Sequence, residues 1–291
     1  MIALATRGSA LARAQAELAI AALRSRFPAE EFTVVVVDSD GDLSPAALAP
    51  DLPGQGWFTS RLELALRSGQ VDGAIHSAKD LPTELGPALL LAGFLRRADP
   101  RDALVSPDAG HLADLAPEAR VGTSSPRRTA QLLALRPDIR CEPIRGNVDS
   151  RIRKVRDGEY DACVVAMAGL LRLGRADEGV ALDPRLECTP APAQGAIALQ
   201  ARVGTRFADL AAAIDDCRTR DCVEAERRVL TEMGGGCQLP LGALAECLDE
   251  ESARLTVAWP SASEGGVRRI TREGLRPDLT EIAVAMSREL A

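Results

Sequence analysis

Cys237 follows three glycines and precedes a glutamine, a leucine and a proline in the run GGGCQLPLG, residues 234–242. Glycines raise the entropic cost of any regular element and Pro240 removes a backbone donor, so the run reads as a loop. Small neighbours let a bulky group approach the sulfur, which suits covalent attachment or nucleophilic chemistry; a turn around a structural cysteine is the plainer alternative. A second constellation, His76-Ser77-Ala78-Lys79-Asp80-Leu81-Pro82, directly follows an apolar run ending at Ile75. In alternating strand and helix folds ligands gather at the carboxyl ends of strands, where Lys79 and Asp80 would stand. The chain has 33 arginines and two lysines, so a lysine at this place points to a compact ammonium rather than a planar fork. A surface ion pair between the two neighbours is the alternative.

Positive charge is concentrated in one stretch of an otherwise acidic chain, whose formal net charge is -7. From Arg120 to Arg156 ten basic residues face three acidic ones, Asp138, Glu142 and Asp149, which calls for an anionic partner. The stretch has no aromatic residue between those limits on which bases could stack, so a small polycarboxylate or phosphate fits better than nucleic acid. Within it, Val121 and Gly122 lead into Thr123-Ser124-Ser125-Pro126-Arg127-Arg128. Ser125 suits an N-cap and Pro126 a first helical position, so hydroxyls, free N–H groups and two guanidiniums converge at a helix start able to take a carboxylate. A well-capped exposed helix is the alternative. The pattern recurs where a strand from Arg140 to Ile144 meets Arg145, Gly146 and Asn147, followed by a helix carrying Arg151, Arg153 and Arg156.

The elements that hold these residues follow from periodicity. Ile2–Ala5 reads as a strand and Ser9 to about Arg26 as a helix, which puts Arg7 just past a strand end. Phe32–Val37 has the continuous apolar character of a strand buried on both faces. Residues 38–56 form a long glycine- and proline-containing loop, and a helix with Phe58, Leu62 and Leu66 on one face follows. Further strands are expected at Leu89–Phe94, Asp161–Ala166 and Pro190–Gln200, with Asp99–Ala103 marking a crossover into a second unit and Arg172 in a short helix. From Thr219, taken as a helix cap, the pattern changes to a helix, the Cys237 loop, three short strands and a closing helix at Leu279–Leu290.

Composition excludes several classes. No stretch has the length of apolar residues a bilayer requires, and Arg7 and Arg13 interrupt any signal-like core, which places the chain in the cytoplasm. Seven scattered cysteines without a CxxC pair argue against a disulfide framework or a zinc site, and two histidines argue against a histidine-built metal centre.

In these motifs the chain closely resembles the porphobilinogen deaminases, or hydroxymethylbilane synthases. The matching segments are ATRGS with Gln15, HSAKDLP, DPRDA, VGTSSPRR, RGNVDSR, GEYDA, AGLLRLG, PAQGA and GGGCQLPLG, in that order from Ala5 to Gly242. The resemblance implies an α/β fold: two periplasmic-binding-protein-like (type II) domains, residues 1–95 with 196–214 and residues 96–195, plus a small α+β C-terminal domain, residues 215–291, that carries Cys237. It implies a dipyrromethane cofactor in thioether linkage to Cys237, and condensation of four porphobilinogen molecules with loss of ammonia before hydrolytic release of hydroxymethylbilane. Asp80 is then the catalytic residue. Lys79, Asp80, Thr123, Ser124, Ser125, Arg127, Arg128, Arg145 and Gly146 bind the cofactor, and Arg7, Ser9, Gln15, Phe58, Arg145, Arg151, Arg172 and Gln194 the substrate. The resemblance further implies a monomer with no metal, nucleic-acid or membrane partner; a non-catalytic two-lobed anion-binding protein is the competing class. The chain departs from the family pattern at Asp40, Asp51 and Gln55, at Gly234 where glutamate is frequent, and in a slightly short C-terminus.

Overall fold

A computed structural model describes residues 1–37, 60–235, 239–261 and 266–290. The chain runs β1 (Ile2–Thr6), α1 (Ala10–Arg26), β2 (Phe32–Val36), α2 (Ser60–Arg67), β3 (Gly73–Ser77), β4 (Leu89–Phe94), β5 (Asp102–Val105), β6 (Arg120–Gly122), α3 (Pro126–Leu135), β7 (Arg140–Glu142), α4 (Val148–Arg156), β8 (Ala162–Ala166), α5 (Met167–Arg172) and β9 (Val180–Ala181). It continues through β10 (Ile197–Arg202), α6 (Arg206–Ala212), α7 (Cys217–Glu232), β11 (Gly242–Cys247), β12 (Ser252–Ser261), β13 (Gly266–Leu275) and α8 (Leu279–Leu290).

Two units divide these elements. The first, built from Met1–Ala98 and Ala196–Asp221, holds a sheet ordered β2-β1-β3-β10-β4. β1 pairs parallel with β2 and β3, while β10 runs antiparallel between β3 and β4. Ala16 and Ala19 with Ile20 and Leu23 form the apolar stripe of α1, and they bury against Ile2, Leu4, Ile75, Ile197 and Leu199 of the sheet. Gly73 is required by a close approach: a Cβ there would lie 2.0 Å from the ring of Phe207 on α6.

The second unit contains Asp99–Gly195 and Cys222–Gly234 with the described residues from Leu239 onward. Its larger sheet is ordered β7-β6-β8-β5-β9, with β6 parallel to both neighbours and β5 antiparallel between β8 and β9. The two five-stranded sheets therefore share one plan, and each takes its antiparallel inner strand from a segment next to a crossover between units. A separate antiparallel sheet, β11-β12-β13, packs with α7 and α8 around Ala225, Val229, Leu255, Val257, Ala283 and Met286. The architecture is mixed α/β with a small α+β region at the C-terminal end.

Three expectations need correction. β2 is an edge strand, not a doubly buried one: it pairs with β1 alone among the described strands, and Val34, Val35 and Val36 are 37, 36 and 41% exposed. The strand foreseen at Pro190–Gln200 begins only at Ile197, because Ala193 (φ 62°) and Gly195 (φ 87°) turn the preceding backbone left-handed. Thr219 does not cap α7. It lies in the first turn, where its N–H donates to Asp216 Oδ1 (2.8 Å) and its hydroxyl accepts from the Arg97 N–H (2.9 Å), so Asp216 is the cap. The loop expected at 38–56 lies outside the described residues. Among the described residues no helix is long and apolar enough to cross a membrane, and no group of three or more His, Cys, Asp or Glu side chains is placed to hold a metal ion.

Candidate active site

Unit 1 forms a pocket where β1 and β3 stop. Past Thr6 the backbone reaches Ser9, whose hydroxyl accepts from the Ala12 N–H at 3.2 Å and starts α1. β3 ends at Ser77 and passes at once into a 3-10 turn, Ala78–Asp80, that carries Lys79 and Asp80. Arg7, Ser9, Gln15, His76, Ser77 and Asp80 line a cavity of about 70 Å³, room for one carboxylate or ammonium group. Gln15 is buried and donates from Nε2 to Ser77 Oγ at 2.7 Å, which ties α1 to the end of β3. Arg7, Ser9, Gln15 and Asp80, far apart in sequence, thus meet in one place.

Sequence reasoning missed His76. It is 6% exposed and its Nε2 has no hydrogen-bond partner. Burial lowers its pKa to about 4; a hydrogen bond with Gln200 opposes the shift and the Arg7 charge adds to it. Gln200 in turn donates to Glu63 Oε1 at 2.9 Å. The pocket is therefore lined by a neutral imidazole at physiological pH. Its pKa falls below the ordinary 6.5, so between about pH 6.5 and 4 the unfolded chain binds a proton that the folded chain does not. Stability is complete above that window and is lost as pH falls through it, by an amount on the order of 3 kcal/mol. We expect the thermal midpoint to drop between pH 7 and pH 5 in the wild type and to stay flatter over that interval in His76→Asn; equal slopes would refute the assignment.

Unit 2 places its polar groups at the carboxyl ends of β6 and β7. Ser125 caps α3 by accepting from the Arg128 N–H at 3.4 Å, with Pro126 at the first helical position, as the motif predicts. Ser124 Oγ donates to the Ile144 carbonyl (2.9 Å) and accepts from the Ile144 N–H (3.1 Å), and Thr123 Oγ1 accepts from the Ser125 N–H (3.2 Å). Ser124 therefore also locks the two strand-end turns together. Gly146 (φ 110°) sits against Ser150, whose Cβ a side chain at 146 would meet at 2.7 Å. Arg151 Nε donates to the Gly146 carbonyl at 2.9 Å, and exposed Arg145 precedes it. Arg172 donates to the Gly195 carbonyl at 2.6 Å.

Arg127 and Arg128 are not the exposed forks that the SSPRR motif suggests. Both are buried, and both clasp Asp102, which is 0% exposed: Arg127 Nη1 reaches Oδ2 at 2.6 Å, and Arg128 Nη2 and Nε reach Oδ1 at 2.6 and 3.0 Å. Gln194, also fully buried, donates to the same carboxylate at 2.9 Å and to the Pro100 carbonyl at 2.8 Å. Burial alone would raise the Asp102 pKa, but the two guanidinium charges outweigh it and hold the group well below the usual carboxylate range. Two cations against one anion leave a positive remainder. Arg151 lies within the field of Arg128, and its pKa is lowered by burial and by that repulsion; burial takes Arg172 down to about 10. A bound carboxylate relieves both strains, so the arrangement favours an anion.

A third buried group escaped the sequence reading. Glu226 on α7 is 0% exposed and accepts from the Ala193 N–H (2.5 Å) and the Ala245 N–H (2.7 Å), joining the PAQGA loop to β11 through one side chain. Gly234, just past α7, has φ 97°, a backbone conformation that a Cβ disfavours. Cys237 and Phe58 lie outside the described residues, as do Asp40, Asp51 and Gln55.

The fold and these sites define an α/β protein with two mixed five-stranded sheets of one plan, a strand-end polar pocket in unit 1 and a buried arginine cluster in unit 2. Residues 2–209 match the family described as "Porphobilinogen deaminase, dipyromethane cofactor binding domain", and residues 221–286 match "Porphobilinogen deaminase, C-terminal domain". The chain belongs to the porphobilinogen deaminase family. A relative of that name from Mycobacterium leprae is 48% identical over 86% of this chain and 78% of its own length. Those from Mycobacterium marinum and Thermobifida fusca are each 42% identical, over 100% and 99% of this chain and 94% and 91% of theirs. Among solved structures, the methionine-binding protein MetQ aligns with a TM-score of 0.46 at 12% identity, covering 73% of this chain and 89% of that one.

Proposed function

We propose that the chain condenses four porphobilinogen molecules head to tail, with loss of one ammonia from each, onto a dipyrromethane held by a thioether to Cys237, and then releases hydroxymethylbilane by hydrolysis. Family membership across the whole chain supports the activity. The observation that carries the reading is the meeting of Asp80 with Arg7, Gln15 and Ser77 in one small pocket. A passive anion receptor has no use for a carboxylate placed there or for a tethering thiol.

The residues present fit the cofactor. Each pyrrole carries two acid arms, and the uncompensated charge beside Asp102, the desolvated Arg151 and Arg172 and the exposed Arg145 offer cations for them. When bound, dipyrromethane supplies the nucleophilic pyrrole carbon from which the chain grows. Arg145, Arg151 and Gly146 bind acid arms, with Lys79 and the Ser124–Ser125 turn completing the cofactor set. Arg127, Arg128, Thr123 and Gln194 serve that set as positioning residues: they fix the strand-end turns and supply field through the Asp102 cluster. Arg7, Ser9, Gln15, Phe58 and Arg172 bind the incoming substrate. Asp80 faces the positive charge that develops when ammonia leaves the aminomethyl carbon, and stabilises it in every cycle. The same carboxylate is suited to proton transfer at the coupling carbon.

In this reading residues 1–95 with 196–214, 96–195 and 215–291 are three domains, an assignment supported by the separate apolar clusters of the two larger sheets and of β11–β13. The protein acts as a cytoplasmic monomer without a nucleic-acid partner. Intact mass under denaturing conditions tests the core of the proposal. The wild type should carry the mass of two linked pyrrole units and Cys237→Ser none. A wild type that is unmodified, and stays so after incubation with porphobilinogen, would overturn it.

A further inference from the structure

We propose that Cys222 and Cys247 are a site of reversible oxidative cross-linking, a disulfide clasp across the two elements that flank the Cys237 segment. Their Sγ atoms lie 3.6 Å apart. Cys222 occupies the second turn of α7 and is 5% exposed; Cys247 is the last residue of β11 and half-buried. Both belong to the apolar cluster that joins α7 to the small sheet, so folding itself brings the sulfurs into contact. A disulfide requires an approach of about 1.5 Å more, within reach of side-chain rotation at the end of a strand.

Hydrogen peroxide is the oxidant. The more exposed Cys247 thiol attacks it, giving a sulfenic acid and one water; the Cys222 thiol then displaces hydroxide from that sulfur, and a second water leaves. Two S–H bonds and one O–O bond are lost, one S–S bond and two waters form, and the peroxide oxygens take up the two electrons. The other described thiols of unit 2 are poorer candidates. Burial pushes Cys163 up to about 11, burial together with the Asp102 charge pushes Cys188 up to about 12, and burial raises Cys141. Among the described residues, none of these three has another cysteine in hydrogen-bond range.

The cross-link closes a ring that contains the whole run from Gly234 to Gly242. It acts at the base of that ring: Glu232 lies ten positions beyond Cys222 on α7, about 15 Å along the helix axis. The clasp therefore restrains the unfolded chain from the N-terminal half of α7.

The test uses the enzyme as isolated, with its covalent group, oxidised by a small excess of hydrogen peroxide. Non-reducing digestion should join the peptide 221–227 to the peptide ending at Arg254, with the loss of two hydrogen masses and reversal by dithiothreitol. Trypsin leaves Cys237 and Cys247 in one peptide, and a second cut at Glu246 separates them. The thermal midpoint should rise by about 5 °C on oxidation, with turnover unchanged. Cys247→Ser, at the half-exposed position, should abolish both the cross-link and the rise. Recovery of Cys222 and Cys247 as thiols or as separately oxidised sulfurs, while Cys217 has reacted, would overturn the site; a cross-link with no change in midpoint would overturn the clasp. Both readouts stand whether or not the chain condenses porphobilinogen, because neither depends on turnover.

Discussion

Asp80→Asn should lower kcat by about 10²- to 10³-fold while KM for porphobilinogen changes only a few-fold, the scale expected when one preorganised group facing transition-state charge is removed. The side chain keeps its shape and its place on the 3-10 turn after β3, so the pocket lined by Arg7, Gln15 and Ser77 persists. What is lost is a full negative charge beside a carbon that becomes cationic as ammonia departs. Ammonia release per enzyme, measured in a single turnover on protein already carrying its covalent group, separates this step from cofactor assembly. Asp80→Glu should retain more activity than Asp80→Asn, since it keeps the charge and displaces it by one methylene. Near-wild-type release by Asp80→Asn would remove Asp80 from the chemistry and leave Lys79 or His76 as the group to examine.

Asp102→Ala should cost about 3–5 kcal/mol of folding stability, because it leaves Arg127 and Arg128 buried without their counter-ion. At this chain length that corresponds to a thermal midpoint lower by about 10 °C. Four polar side chains lose a common acceptor together: Arg127, Arg128, Gln194 and Cys188, whose thiol lies 3.3 Å from Oδ2. Asp102→Asn keeps the shape and should fall between the variant and the wild type. Chemical denaturation of the unmodified and the loaded protein side by side would show whether a bound polycarboxylate restores part of the loss. A midpoint within a degree or two of wild type for Asp102→Ala would mean that water or another anion already serves these arginines.

The strand-end constellations were legible because their chemistry is local. Lys79 and Asp80 adjoin the strand that presents them, and Ser125 and Pro126 specify a helix start by type alone, as the cap of α3 bears out. The directions of Arg127 and Arg128 were not legible, since their partner lies 25 and 26 residues upstream in a segment that reads as a domain crossover. Glu226 is a similar case: a glutamate between alanine and arginines looks solvated until the fold brings Ala193 and Ala245 to it across 33 and 19 residues. His76 was hidden by the opposite effect, because attention to its charged neighbours passed over a side chain whose significance comes from burial. The valines of β2 misled because a continuous apolar run looks the same on an edge as in the middle of a sheet; only the strand order distinguishes them.

The dry setting of the Asp102 cluster bears on how the protein works in a saline medium. Mobile ions gather around exposed charges and blunt them within roughly 8 Å at physiological ionic strength, but they enter a packed interior poorly. Arg145 at the surface is open to such shielding. The surplus charge of Arg127 and Arg128 is carried on side chains that are only 5 and 8% exposed. On the proposed function, part of the attraction for an acidic chain is thus insulated from the surrounding electrolyte, and the hold on a growing polyanion does not slacken as salt content rises.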